Sequence, residues 1–152
     1  MSSVKVTLQG MDELVARMRV YGIEADRIMA AELKRAAQDA RSEAVRGIQR
    51  GPATGRIYPP VRGRRQTPHQ ASAPGQFPQT DTGRLAASVR VERDHTAAQL
   101  TYVVGTALEY GAHLEFGTLE MRPRPWLQPS VDAAVPRFMA RLRRGLERLR
   151  GR

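Results

Sequence analysis

The spacing of apolar residues predicts one long helix near each end of the chain. Between residues 12 and 49, apolar side chains recur mainly at intervals of three and four: Leu14, Val15, Met18, Ala30, Leu33, Ala37, Ala40, Ala44 and Ile48. This period is typical of an amphipathic helix, and its many alanines suit close packing against a sheet or another helix. Gly22 is the position at which we expect this helix to be interrupted or kinked.

A second helix is predicted within residues 131–152. Phe138, Leu142, Leu146 and Leu149 have helical spacing there, and arginines line another side. Because proline lacks a backbone N–H, we expect Pro136 either to begin this helix or to kink it.

Between these helices, alternating polarity predicts short strands. The segment "VKVTLQG" before the first helix alternates and predicts a strand. The segments "VRVERD" and "AQLTYVVGT" also alternate, with Val89 and Val91 on one strand and Leu100, Tyr102 and Val104 on the next. They predict a β-hairpin with residues 94–96 as its turn.

Two short helical pieces flank the hairpin. "GRLAAS" predicts one helical turn before it. "ALEYGAHLEFG" predicts a short helix after it, ended by Gly117, with Leu108, Ala112 and Glu115 on one face. The chain as a whole therefore predicts an α+β fold: a small, mainly antiparallel β-sheet packed by the long N-terminal helix and the C-terminal helix. We expect residues 1–152 to form a single domain.

Residues 51–80 differ in composition from the rest of the chain. They contain six prolines, four glycines and four arginines, and no acidic residue. Such a segment is not expected to form regular structure by itself, and it is either a solvated loop or an extended arm that a partner orders. Tyr58 and Phe77 favour the arm, because each is an apolar anchor within a polar run.

Composition restricts the chemistry and the partners. The chain has no cysteine, which excludes disulfides and thiolate metal sites. No apolar run approaches the roughly 18 residues of a membrane span, and the N-terminus lacks an apolar signal segment. The net charge is +10, almost wholly from arginine. This excess indicates acidic partners, either nucleic acid or protein surfaces.

Asp81-Thr82-Gly83 spells the triplet that carries the catalytic carboxylate of aspartic proteases. In those enzymes the triplet follows a buried apolar strand and the carboxylates are held rigidly. Here "PGQFPQT" precedes it and Arg84 follows it, so we interpret Asp81 or Thr82 as the cap of a short helix. The three histidines, His69, His95 and His113, have no metal-binding spacing with acidic residues, and we expect no enzymatic activity and no cofactor.

Nucleic-acid binding is a serious alternative. Between residues 137 and 152, the C-terminal helix has one acid, Glu147, and a run of arginines: Arg137, Arg141, Arg143, Arg144, Arg148, Arg150 and Arg152. Such a run could bind phosphates without sequence specificity. The chain, however, has few aromatic residues for base stacking and no recognisable reading motif.

Three segments together resemble the lambdoid tail-component, or tail-completion, proteins of long-tailed bacteriophages. The first is a T-G-x-L-x-x-S segment, the second contains Tyr and E-F-G-T, and the third is a P-W-L-x-P segment before the last helix. The residues that carry this resemblance are Thr82, Gly83, Leu85, Ser88, Tyr110, Glu115, Phe116, Gly117, Thr118, Pro125, Trp126, Leu127 and Pro129. Two features depart from the family pattern: Gly111, where relatives often have alanine, and Pro136 within the last helix.

The resemblance implies a structural virion protein, assembled in the bacterial host cytoplasm. Its subunits would form a ring, six in number by expectation, at the head–tail junction or neck. That ring would bind the connector or stopper protein on the head side and the tail-tube or tail-terminator protein on the other, and leave a channel for DNA. A stopper or tail-terminator ring is the nearest alternative, and a non-specific DNA-binding protein is a more distant one.

The same resemblance implies structural roles for individual motif residues. Asp81 or Thr82 would cap the turn that sets Leu85 into the core, and Glu115 would accept from loop backbone groups or an arginine. Two sets of residues are expected to contact other subunits, partners or DNA: Arg56, Tyr58, Arg62, Arg64, Arg65 and Phe77 in the loop, and Arg137, Arg141, Arg144 and Arg148 in the last helix.

Overall fold

The computed structural model describes residues 22–63 and 66–150. In chain order its elements are α1 (Ile23–Gln49), β1 (Ile57–Tyr58), β2 (His69–Gln70), α2 (Arg84–Ser88), β3 (Arg90–Asp94), β4 (Thr101–Gly105), α3 (Glu109–Phe116) and α4 (Gln128–Arg150). The predicted α+β class is confirmed. The strand predicted within residues 4–8, and residues 12–21 of the predicted first helix, lie outside the described residues.

The two long helices, α1 and α4, pack against each other in antiparallel directions. In one part of the core, the N-terminal half of α1 meets Phe138 and Leu142 of α4. In the other part, the alanines of the C-terminal half of α1 meet Val131 and Ala134. A Cβ placed on Gly145 would lie 2.7 Å from Ile28 Cγ2, so the helices approach closely there. The small-residue stripe therefore does pack against a helix, as its spacing predicted.

The predicted hairpin is present, with β3 and β4 antiparallel and Arg90 paired with Gly105. Its loop is longer than predicted, because pairing ends at Asp94 and Thr101 and residues 95–100 connect the strands. The Asp94 carboxylate accepts hydrogen bonds from the backbone N–H and the hydroxyl of Thr96 (2.9 and 2.6 Å), which fixes the start of the loop. Leu100 packs against the core without pairing.

Residues 51–80 contain regular structure, so the expectation that they would lack it is wrong for this part of the chain. β1 and β2 pair antiparallel, and the ladder continues through bonds between the backbones of Gly55 and Ala71 (2.7 Å) and of Ala71 and Arg56 (2.9 Å). Pro59, Pro60 and Pro68 fall outside the paired positions, where a missing N–H breaks no ladder bond. Residues 56–63 and 66–70 are called the arm hairpin below.

The last helix begins before Pro136, which is therefore not its first residue. α4 starts at Gln128 and contains Pro136 in its interior. Pro129 lies in its first turn, where the missing N–H would have no intrahelical partner. The backbone N–H groups at the start of this helix donate hydrogen bonds to the carboxylate of Glu115, a residue distant in the sequence.

Candidate functional site

Glu115 of α3 caps the N-terminus of α4. Its side chain is buried, and one carboxylate oxygen accepts the backbone N–H groups of Trp126 and Leu127 at 2.7 and 2.8 Å. The other oxygen accepts the N–H of Gln128 at 2.9 Å. A negative charge is favourable at a helix N-terminus, where N–H groups lack intrahelical partners. The prediction that Glu115 accepts from loop backbone groups is confirmed.

Trp126 also holds α3 and α4 together. Its ring is fully buried, and its indole N–H donates to the carbonyl of Gly111 at 2.9 Å. The Trp126 carbonyl in turn accepts the hydroxyl of Ser130 at 2.5 Å. Leu127 is also fully buried in the core. The proline-rich motif thus inserts two apolar side chains and connects them to α3 by hydrogen bonds.

The first motif joins the same cluster through Thr106. The Ser88 hydroxyl donates its hydrogen to the Leu85 carbonyl at 2.7 Å. The Thr106 hydroxyl, 2.6 Å from the Ser88 oxygen, therefore donates to Ser88, and it accepts the N–H of Leu108 at 3.1 Å. The sequence interpretation missed Thr106. A threonine just before a predicted helix is a capping signal that would have found it.

These residues form one connected unit, which we call the motif cluster: Leu85, Ser88, Thr106, Gly111, Glu115, Trp126 and Leu127. Gly111 lies at its centre, because a Cβ there would overlap Thr106 Cγ2 and lie 3.3 Å from Leu85 Cδ1. An alanine at position 111 would therefore not fit beside Thr106. The cluster contains five of the predicted motif residues, and its contacts fix how α2, α3 and α4 meet.

Gly111→Ala tests this packing. An added methyl group in a filled core costs about 1–3 kcal/mol, and the overlap with Thr106 puts Gly111→Ala in the upper part of this range. The better helix propensity of alanine offsets about 1 kcal/mol of this cost. We expect a net loss of roughly 1–2 kcal/mol in the free energy of unfolding, measured by urea denaturation. Thr106→Ser removes the overlapping methyl group and keeps the hydroxyl, so it should recover much of that loss in the double variant. A Gly111→Ala protein as stable as the wild type would contradict the packing.

The helix cap predicted at Asp81 or Thr82 is wrong. Gly83 occupies the N-cap position of α2, with φ 74°, and its N–H donates to the Thr80 hydroxyl at 3.1 Å. Glycine takes this left-handed conformation without a Cβ penalty, so the chain turns at Gly83 and leaves both earlier residues outside the helix. Leu85 is buried as predicted.

Asp81 lies at the surface next to a histidine. Its carboxylate is 40% exposed and lies 3.8 Å from Nδ1 of His69. Such a solvated carboxylate is unlike the rigidly held pair of an aspartic protease. Among residues 22–63 and 66–150, no three histidine, aspartate or glutamate side chains are grouped so that they could hold a metal ion.

The end of α3 presents apolar side chains to solvent. Gly117 ends the helix with φ 80°, as predicted, and Thr118 begins a tight turn in which its N–H donates to the Met121 carbonyl at 2.8 Å. Phe116 is 69% exposed and Leu119 fully exposed. Tyr110 is also exposed, and its partial burial raises its pKa while the charge of Arg84 opposes this rise.

The arm residues predicted to contact partners divide into two groups. Phe77 packs against the core of its own chain, where its ring occupies the space beside Gly47 of α1. Tyr58 and Arg56 remain exposed, with the guanidinium 5.4 Å from the ring centroid in a cation–π contact. Arg62 is exposed. Arg64 and Arg65 lie outside the described residues.

The C-terminal arginines also divide. Arg141 bonds Glu32 at 2.7 Å and Asp39 at 2.8 Å, both on α1. Burial lowers the pKa of Arg141, but its hydrogen bond to Glu32, its close contact with Asp39 and the charges of both carboxylates together raise that pKa above its ordinary value. Arg137 bonds Glu43 at 2.8 Å. These arginines connect α4 to α1 within one chain.

Two further arginines of α4 are available to partners. Arg144 and Arg148 are exposed and form no ion pair with any residue that the structure describes. The helix thus uses some arginines to hold the fold together and presents others to solvent. Within residues 22–63 and 66–150, no helix has the length and apolarity needed to cross a membrane.

Comparison with known proteins identifies a family. One family model, described as "Bacteriophage HK97-gp10, putative tail-component", matches residues 12–117. The match includes the first motif and the second up to Gly117, while Thr118 and the proline-rich motif lie beyond it. No curated protein and no solved structure matches the chain. Because the matched residues are well over half of the 152, the chain belongs to the HK97-gp10-like family of phage tail components.

Proposed function

We propose that this protein forms a ring, with six copies as the expected number, at the junction between phage head and tail. The ring joins the tail to the connector on the capsid and leaves a channel for DNA. Membership of the HK97-gp10-like family carries this proposal, since it supports a structural, tail-related role in the virion and contact with other virion proteins. The finer assignment to the junction rests on the resemblance to tail-completion proteins.

The motif cluster supports a mechanical role. Motif residues in this chain hold α2, α3 and α4 together through buried hydrogen bonds and packing. A subunit that transmits force between a head and a tail needs such fixed contacts between its elements. The exposed apolar residues at the end of α3 add a surface of the kind that marks protein–protein contacts.

The exposed arginines support contact with DNA in the channel. Arg144 and Arg148 offer charge to phosphates without any element that reads bases. A primary DNA-binding protein is the second candidate, and the same two residues favour it. The candidates differ in what the protein does to particles. A ring protein joins heads to tails and holds DNA weakly, whereas a DNA-binding protein holds DNA tightly at physiological salt and joins nothing.

A joining assay tests the proposal. Host cells that produce the phage without this protein should accumulate DNA-filled heads and complete tails that remain separate. Addition of the purified full chain to that lysate should join them, as seen by electron microscopy. Arg144→Gln with Arg148→Gln should reduce salt-sensitive DNA binding more than it reduces joining. Normally joined particles without the protein would contradict the proposed function.

A further inference from the structure

Most exposed large apolar side chains of the described residues lie at two separate places. Ile57, Tyr58 and Val61 lie on the arm hairpin, with exposed fractions of 62, 41 and 45%. The second group lies along α3 and the turn after it, and we call it the α3 surface: Tyr110, Phe116 and Leu119 with the acidic residues Glu109 and Glu120. Exposed apolar side chains that are grouped in this way mark protein–protein contact sites more often than single scattered ones do.

The two places do not cover each other within one chain. The base of the arm is fixed to the body by Arg124 Nε, which donates to the Ser72 carbonyl at 3.0 Å, and by the N–H of Gly75, which donates to the Pro123 carbonyl at 2.9 Å. Between Val61 and Tyr110 there remains an open groove of about 410 Å³. Phe116 and Leu119 stay exposed despite this fixed base.

The glutamates beside Phe116 and Leu119 have charge opposite to that of the arm hairpin. The arm hairpin carries Arg56 and Arg62 and, like all of residues 51–80, contains no acid. On the α3 surface, Glu109 lies on the same helical face as Phe116, at i and i+7, and Glu120 follows Leu119. Two exposed arginines border this surface: Arg84, whose charge acts on Tyr110, and Arg122. No ion pair joins either glutamate to another described residue. Both can therefore pair with incoming arginines.

We propose that the arm hairpin of one subunit docks on the α3 surface of the next subunit. Ile57, Tyr58 and Val61 cover Phe116 and Leu119, while the arm arginines face Glu109 and Glu120. Two different surfaces meet in this contact, so it is head-to-tail and closes into a ring when the rotation allows. The inference rests on the proposed ring, and it specifies which surfaces form each seam.

Charge exchange between two full-length variants tests this contact. One variant has an acidic arm, through Arg56→Glu and Arg62→Glu, and keeps its acidic α3 surface. The other has a basic α3 surface, through Glu109→Arg and Glu120→Arg, and keeps its basic arm. Each variant alone should fail to form rings, because like charges would meet at every seam. An equal mixture should form rings in which the two variants alternate, as measured by native mass spectrometry.

The apolar contact has its own test with a matched control. Leu119→Ser removes a side chain that the docked arm would bury, which should weaken subunit association about tenfold or more. Met139→Ser changes an exposed apolar residue of α4, outside both surfaces, and should leave association unchanged. Neither residue is buried, so both variants are expected to fold.

The outcomes separate this inference from the proposed function. If both charge variants and Leu119→Ser form rings as the wild type does, the seam lies elsewhere and the inference fails, while the ring remains. If every variant forms rings but the acidic-arm variant fails to join particles, the arm binds another virion protein and the inference also fails. If the wild type neither forms rings nor joins heads to tails, both are wrong.

Discussion

Glu115→Ala is expected to lower the free energy of unfolding by about 3–5 kcal/mol. The substitution leaves the backbone N–H groups of Trp126, Leu127 and Gln128 without their acceptor. The first two of these residues are fully buried. An unpaired buried donor costs about 1–3 kcal/mol, and bonds to a charged acceptor lie at the upper end. Urea denaturation of the full chain measures this loss.

Two controls make the result specific to the cap. Glu147→Ala removes an exposed glutamate of α4 that belongs neither to the cap nor to the proposed seam, and it should change stability little. Glu115→Gln keeps one carbonyl oxygen but directs an NH₂ group at the remaining N–H donors. Its free energy of unfolding should therefore fall by much of the amount that Glu115→Ala loses. If Glu115→Ala and Glu147→Ala proved equally stable, the carboxylate of Glu115 would not be the cap that starts α4.

Arg141→Met is expected to lower the free energy of unfolding by about 2 kcal/mol. Methionine keeps the apolar stem but leaves Glu32 and Asp39 facing each other without their shared cation. Removal of one partner from a fully buried pair costs about 3–5 kcal/mol. The side chains here are 12–35% exposed, so solvent screening reduces that value.

Arg144→Met is the matched control, since Arg144 lies on the same helix, is exposed and has no described ion pair. It should leave stability nearly unchanged. Replacement of the two acids together with Arg141, by Glu32→Gln and Asp39→Asn, should recover part of the loss because no like charges remain. Equal stability of Arg141→Met and Arg144→Met would show that Arg141 does not hold α4 to α1.

The sequence predicted the elements whose signal is periodic. The spacing of Ala37, Ala40 and Ala44 predicted the packed face of α1, and the alternation around Val91 and Val104 predicted the hairpin. These predictions succeed because burial imposes one period on many consecutive residues. The loop of the hairpin and the start of α4 were predicted less well, because each depends on a few hydrogen bonds rather than on a period.

Contacts between distant residues could not be derived from spacing. Glu115 meets backbone groups 11–13 residues further along the chain, and no local pattern specifies that distance. The C-terminal arginines look equivalent in sequence, yet Arg141 is paired with α1 and Arg144 is not. Phe77 similarly looked like an anchor for a partner, and it packs on its own α1 because Gly47 leaves room for its ring.

The position of this protein in the virion tests the central claim most directly. Electron cryomicroscopy of intact phage particles, with and without an added tag at the C-terminus of this chain, would locate it. The account predicts a closed ring of this chain between the connector and the tail, with a central channel and tag density only at that level. Density for the chain along the tail tube, at the distal tip or inside the head, with none at the junction, would contradict it.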